Sequence, residues 1–200
     1  RRELERMFAY RHMVLKNDLE HHVKNALGKR ILISGASGTI GSTLVPFLRT
    51  CGHEVMRLVR KKEPLANDEI FWDPHKGILD LEPTGRFDAV INLNGVDISR
   101  GRWTRDQKKR IVDSRVLSTK LLALKIKDLH PRPEVFISSS AIGFYGDTGD
   151  LVLGEDAHEG ECFISQVCSQ WEDASSKARD AGIRTVLLRI GVVLTPAGGA

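Results

Sequence analysis

The sequence predicts an α/β domain built on a doubly wound parallel sheet, and three observations carry that prediction. Short apolar runs with the length of buried strands alternate with longer stretches of helical periodicity. No internal repeat or low-complexity tract interrupts the alternation. The first run breaks into a glycine turn that leads directly into a helix, the local arrangement from which a phosphate-binding crevice is made. A length of 200 residues with ordinary apolar and charged fractions suits one domain with a sizeable core.

Residues 30–34 (R-I-L-I-S) read as the first strand. The turn Gly35-Ala36-Ser37-Gly38-Thr39-Ile40-Gly41 follows, and Leu44, Val45, Phe47 and Leu48 then take up a helical spacing. Gly35 permits the sharp turn out of the strand, Gly38 lets backbone N–H groups approach a pyrophosphate, and Gly41 lets the helix pack closely on the strand. The helix start adds unpaired N–H donors and a partial positive charge. Gly35, Ser37, Gly38, Thr39, Ile40 and Gly41 are therefore candidate cofactor-binding residues; the alternative is a glycine-rich turn serving some other ligand.

Cys51-Gly52-His53 ends the helix with glycine where a left-handed residue is favoured, and residues 54–60 form the second strand. In a dinucleotide fold an acidic residue at this strand's tip binds the free ribose hydroxyls. That position falls at Val59, followed by Arg60, Lys61 and Lys62. The expectation is NADP over NAD, with Arg60 pairing the 2′-phosphate and stacking on adenine; the alternative is a solvated basic turn.

Residues 69–72 read as the third strand, bounded by Asp73-Pro74, and residues 77–85 as turns. Residues 88–94 make the fourth strand, ending at Asn94-Gly95, with its tip facing the crevice of the glycine turn. Residues 103–127 are a long helix with Thr104 as N-cap and an apolar face of Ile111, Val112, Val116, Leu117, Leu121, Leu122 and Leu124. Arg115 borders that face, where it either snorkels or reaches a phosphate. Pro131 and Pro133 precede the fifth strand at residues 134–140, then comes A-I-G-F-Y-G-D. Residues 162–180 read as a helix with Trp171 inward, and residues 183–194 as the sixth strand and its exit. Residues 1–28 read as a linker or the tail of a preceding domain, with a short capped helix from Asn17 to His22.

The formal charge of +4 comes from scattered basic residues, which argues against a nucleic-acid stripe. Cys51, Cys162 and Cys168 form no C-x-x-C pair, as suits a reducing cytoplasm. No apolar run has the length of a membrane span, and the polar start lacks a signal-peptide core. The seven histidines show no metal-ligand spacing, so no structural metal is expected.

The spacing G-x-x-G-x-x-G after Ser34 resembles the extended short-chain dehydrogenase/reductase superfamily. With R-L-V-R, I-N-L-N-G, R-W-T…D-S-R, S-S-S-A-I-G-F-Y-G-D, W-E and R-I-G-V-V-L, the chain from Lys29 onward resembles its epimerase-family branch. That branch is described as NAD(P)-dependent epimerases or oxidoreductases, with older naming after a cell-division inhibitor. The resemblance implies that residues 29–200 are an NAD(P)-binding Rossmann domain lacking most of the C-terminal substrate domain. In some bacterial members a polyketide-cyclase-like domain precedes this fold, and residues 1–22 would be its tail.

The resemblance also assigns roles. Leu93, Asn94 and Gly95 would line the adenosine side, Arg115 would reach in from the long helix, and Leu194 would lie by the nicotinamide. Such enzymes use Ser, Tyr and Lys, and Ser140 matches the serine. Counting back from Trp171-Glu172, the Tyr-x-x-x-Lys positions fall at Ile164 and Cys168, neither an acid–base group. Tyr145 is the candidate substitute; alternatively it is a packed loop aromatic and Ser140 caps a turn. The leading function is an NADP-dependent oxidoreductase or epimerase acting on a small molecule. The second is a dinucleotide-binding sensor or regulator without turnover, and the third a flavin or nucleoside-phosphate binder.

Overall fold

Strand β1 (Arg30–Ser34), with a continuous apolar run buried on both faces, lies at the centre of the sheet. It pairs in parallel with β2 (Glu54–Val59) on one side. Beyond β2 come β3 (Glu69–Asp73), also parallel, and the two-residue antiparallel β4 (Ile78–Leu79). On its other side β1 pairs in parallel with β5 (Ala89–Asn92), followed by β6 (Val135–Ala141) and β7 (Arg184–Ile190). In this computed structural model, which describes residues 2–24, 28–62, 64–99, 101–195 and 198–199, the order is β4-β3-β2-β1-β5-β6-β7. The expected parallel strands all join one sheet. A short antiparallel pair, β8 (Leu194–Thr195) with β9 (Gly198–Gly199), stands apart from it.

Helices cover both faces because successive residues of a buried strand point to opposite sides. Ile31 and Ile33 pack with Val45, Val55 and Ile91, under α2 (Gly41–Thr50). Leu32 points the other way, into a larger cluster with Trp72, Phe87, Leu122, Ile126 and Phe136, under α3 (Arg105–Lys127). Thr104 caps α3 by accepting from Gln107 N–H, as its sequence position predicts.

Three segments differ from expectation. Residues 77–85 were expected to be turns only; Gly77, at φ 66°, closes a reversal that lets β4 pair with the end of β3. The helix expected over residues 162–180 is two, α4 (Phe163–Asp173) and α5 (Ser176–Asp180). Buried Ser175 separates them, its hydroxyl donating to Glu172 O at 2.6 Å in competition with the helical ladder. Near the N-terminus, α1 (Arg2–Lys24) is one long helix rather than a linker with a single turn. Its sequence holds neither Gly nor Pro and starts with Glu3 and Glu5, which favour a helix N-terminus. Residues 25–27, also expected as linker, lie outside the described residues.

Candidate functional site

The strand order reverses between β1 and β5, so their carboxyl ends open a crevice. A cleft of about 560 Å³ occupies it, lined by Gly35, Ser37, Gly38, Thr39, Ile40, Gly41, Leu93, Gly95, Arg115 and Val193, among others. The turn is shaped by its glycines. Gly35 sits at φ 73°, and a Cβ there would lie 2.6 Å from Leu93 O, so the turn lies against the end of β5. A Cβ on Gly41 would lie 2.3 Å from Gly35 O and 2.7 Å from Ala36 Cα. Gly38 N–H donates to Gly35 O at 3.0 Å, closing the loop. The start of α2 has no side-chain cap and no acidic residue in its first turn, which leaves its N-terminal dipole for an external anion.

Beneath the cleft a buried polar chain fixes the strand ends. Ser34 Oγ donates to Asn92 Oδ1 at 2.6 Å, and Asn92 Nδ2 donates to Thr119 Oγ1 at 2.7 Å. Trp171 Nε1 donates to the same Thr119 oxygen at 2.9 Å, which ties α4 to α3. Sequence reasoning missed this chain, although an asparagine within the apolar run A-V-I-N was a signal.

Arg115 faces the glycine turn across the cleft. Its donors go to neutral oxygens: Ile111 O at 3.1 Å, Val96 O at 3.0 Å and, more weakly, Ser114 Oγ at 3.4 Å. The guanidinium lies 5.1 Å from the Trp171 ring centroid. Burial pulls its pKa down, with Cys168 and Asp97 acting the other way. A guanidinium held this way is a cation whose charge a ligand phosphate can complement.

Other predicted residues sit differently. Asn94 is buried, donating Nδ2 to Ser114 O at 3.0 Å and accepting at Oδ1 from Arg60 Nη2 at 3.0 Å. Leu194 is 77% exposed, and Val193 rather than Leu194 lines the cleft. Ser140, at 2% exposure, donates Oγ to Glu172 Oε1 at 2.6 Å. Tyr145 borders a separate cleft of about 620 Å³ beside β7, with Ile142, Glu155 and Leu188. Its Oη accepts from Arg189 Nη1 at 2.9 Å, and the same Arg189 holds Glu172 through Nε and Nη2, both at 2.9 Å. Glu172 thus joins Ser140 to Arg189 and Tyr145, and neither Glu172 nor Arg189 was singled out as a candidate from sequence. Burial would raise the Glu172 carboxyl; hydrogen bonds from Arg189 and Ser140 outweigh it and leave the group below its ordinary value. The hydrogen bond to Glu172 raises Arg189 in turn.

Ile164 and Cys168, at the Tyr-x-x-x-Lys positions, turn toward Gly143: a Cβ there would meet Ile164 Cγ2 at 2.4 Å and Cys168 Sγ at 3.9 Å. Burial pushes the Cys168 thiol up, against the effect of a backbone hydrogen bond at Ala141. Among the described residues, no cluster of His, Cys, Asp or Glu could hold a metal ion, and no helix is long and apolar enough to cross a membrane.

The model of the NAD dependent epimerase/dehydratase family matches residues 31–197. An epimerase family protein of Mycobacterium bovis is 41% identical over 169 residues, 84% of this chain and 55% of that protein. The chain therefore spans about half the length of the curated relatives it matches. The crystal structure of a nucleoside-diphosphate sugar epimerase from Corynebacterium glutamicum is 36% identical with a TM-score of 0.79, covering 96% of this chain and 41% of that one. Human epimerase family protein SDR39U1, solved with NADPH, is 32% identical with a TM-score of 0.74, covering 86% and 56%.

The expectation of NADP over NAD is corrected by these structures. MoeE5, 25% identical with a TM-score of 0.64 over 80% of this chain and 53% of that one, was solved with UDP-glucose and NAD. NAD also occupies UDP-glucuronic acid 4-epimerase from Bacillus cereus, which at 22% identity shares the fold alone. NAD thus predominates over NADPH among these structures. At the β2 tip Arg60 donates Nη2 to the neutral Asn94 Oδ1 at 3.0 Å, and Lys61 pairs with Glu69 at 2.7 Å.

Proposed function

The chain belongs to the NAD dependent epimerase/dehydratase family, and from that membership we propose that it is the dinucleotide-binding part of an NAD(P)-dependent epimerase or oxidoreductase. The observation that carries this reading is the cleft in which Arg115 faces the uncapped start of α2. The residues present fit a dinucleotide, because Cβ atoms at Gly35 and Gly41 would collide with the backbone that shapes the turn. Backbone N–H groups of Ser37, Thr39, Ile40 and Gly41 would hold the pyrophosphate, that of Gly38 being bound to Gly35 O; Arg115 would balance its charge, and Leu93 and Gly95 would flank the adenosine. When bound, the nicotinamide supplies or accepts the hydride. Tyr145 is the proposed hydroxyl for the substrate oxygen, joined to Ser140 through Arg189 and Glu172. Because Tyr145 Oη accepts from Arg189, its own hydrogen is left for another partner.

Residues 29–200 are read as the dinucleotide unit and residues 1–28 as a segment apart from it, in keeping with the exposed Leu4, Phe8 and Tyr10 of α1. The three unpaired cysteines support placement in the cytoplasm. Nucleoside-diphosphate sugars, named for the Corynebacterium glutamicum and MoeE5 structures, are the first substrate class to test.

Calorimetric titration with NADH and NADPH tests the binding half of the proposal. Both are expected to bind, with affinity falling about tenfold to a hundredfold in Arg115→Met, as loss of a hydrogen bond to a charged group implies. Absence of binding overturns it. Oxidation of NADH or NADPH against oxidised nucleotide sugars, keto-sugars and aldehydes tests the chemical half. Ile164 and Cys168 at the Tyr-x-x-x-Lys positions favour a second reading, a dinucleotide sensor without turnover. Binding without oxidation of either cofactor would favour that reading.

A further inference from the structure

We infer that Arg189, held by Glu172, is a positioning residue for Tyr145 and does the orienting work that a lysine does in a Tyr-x-x-x-Lys pair; this rests on the reading of Tyr145 as a proton donor. The guanidinium is fixed from three sides. Nε and Nη2 grip the two oxygens of Glu172 at 2.9 Å each, a bidentate fork that sets the plane of the group. That plane lies over Phe144, with Cζ 3.6 Å from the ring centroid. The remaining nitrogen, Nη1, donates its two hydrogens to Tyr145 Oη and Glu155 O, both at 2.9 Å.

The hydrogen bonds and burial leave Tyr145, and not Ser140, as the hydroxyl that faces a cleft. Ser140, 2% exposed, donates its hydrogen to Glu172 and lines neither cleft. Tyr145 accepts from Arg189, so toward a ligand it donates. In the proposed reduction the Tyr145 O–H bond breaks and its proton passes to the substrate's carbonyl oxygen. The hydride that completes the reduction is the dinucleotide's, and the phenolate left on Tyr145 keeps Arg189 as its donor. A lysine four residues after the tyrosine would perform the same service from one helix; here the cation comes from β7 and its anchor from α4.

The experiment uses the whole protein and the carbonyl compound it reduces fastest. Arg189→Met is expected to lower kcat about a hundredfold, in the range found when a donor to developing negative charge, here the Tyr145 phenolate, is removed. KM and the dissociation constant for NADH should stay within about threefold, since Arg189 lies outside the dinucleotide cleft. Arg189→Lys, which returns a cation to the same place, is expected to recover about tenfold of that loss. Should Arg189→Met fail to fold, the double variant Glu172→Gln/Arg189→Met removes the pair together and avoids an unpaired buried carboxylate.

Tyr145→Phe separates the two ideas. If Tyr145→Phe is inactive but Arg189→Met is as active as the unmodified protein, the role of Arg189 falls and that of Tyr145 survives. If Tyr145→Phe is fully active, or the unmodified protein reduces no carbonyl, Tyr145 is not a proton donor and both ideas fall. Equal losses in Arg189→Met and Arg189→Lys, with KM rising in parallel, would mark Arg189 as structural only.

Discussion

The glycine turn and the Glu172–Arg189 cluster occupy the same carboxyl end of the sheet but treat polarity in opposite ways. At the turn, polar groups are left for a ligand: α2 starts without a cap, and Arg115 is held by neutral oxygens. At the cluster, charge is matched internally, with Glu172 and Arg189 paired and Ser140 and Tyr145 bound to them. A site that binds a phosphate benefits from unanswered positive charge. A site that directs a proton benefits from a fixed frame in which the donating hydroxyl has one remaining direction. The contrast predicts that changes at the cluster act first on stability and turnover, whereas changes at the turn act first on cofactor affinity.

The largest effect should come from Glu172→Ala. It removes one partner of a pair whose side chains are only 10% and 19% exposed, so a loss of about 3 kcal/mol in urea unfolding is expected. The pH dependence has a definite sign. The folded Glu172 carboxyl lies below its ordinary value, so its stabilisation is complete above about pH 4.3, the unfolded pKa. That stabilisation is lost as pH falls through the folded value, and Glu172→Gln should flatten this part of the acid limb. A loss under about 1 kcal/mol in Glu172→Ala would place the cluster among solvated surface pairs and break the comparison.

Next comes Gly41→Val. Its Cβ would have to displace Gly35 O and Ala36 Cα, both backbone atoms, and thus reshape the turn that holds the pyrophosphate. Calorimetry should show NADH affinity lower by about a hundredfold, the equivalent of about 2.7 kcal/mol. Affinity within threefold of the unmodified protein would mean that the turn does not hold the dinucleotide.

The same contrast explains what could be read from sequence. The turn is built from backbone, so its requirements appear as glycines at fixed spacing between an apolar run and a helix. The parallel sheet was legible for the same reason, since each strand is a local apolar run. β4 was not, because two residues are too few for a periodic signal and its pairing depends on Gly77 reversing the chain. The cluster is assembled from α4, β6, β7 and the turn after β6, and no local pattern records that Glu172 will meet Arg189. Arg60 shows the limit from the other side. Its place at the β2 tip was read correctly, but its hydrogen bond to Asn94, 34 residues on, was not visible in sequence. The cofactor preference drawn from it did not hold.

The smallest effect on stability, and the sharpest separation within the turn itself, is expected from Gly38→Ala. Gly38 is not among the glycines with positive φ, and its added Cβ would meet only Gly35 O, at 3.3 Å. A shift of a few tenths of an ångström relieves that contact, so unfolding free energy should change by less than about 1 kcal/mol. Gly38 nevertheless lines the cleft, where a methyl group would stand between the backbone N–H groups and the pyrophosphate. NADH affinity should therefore fall about tenfold, with little accompanying loss of stability. Gly41→Val should lose both, because there the backbone itself is displaced. If Gly38→Ala costs as much stability as Gly41→Val, the two glycines share one packing role. If it costs no affinity, the ligand does not approach the turn at Gly38, and the donors left open there serve something other than a pyrophosphate.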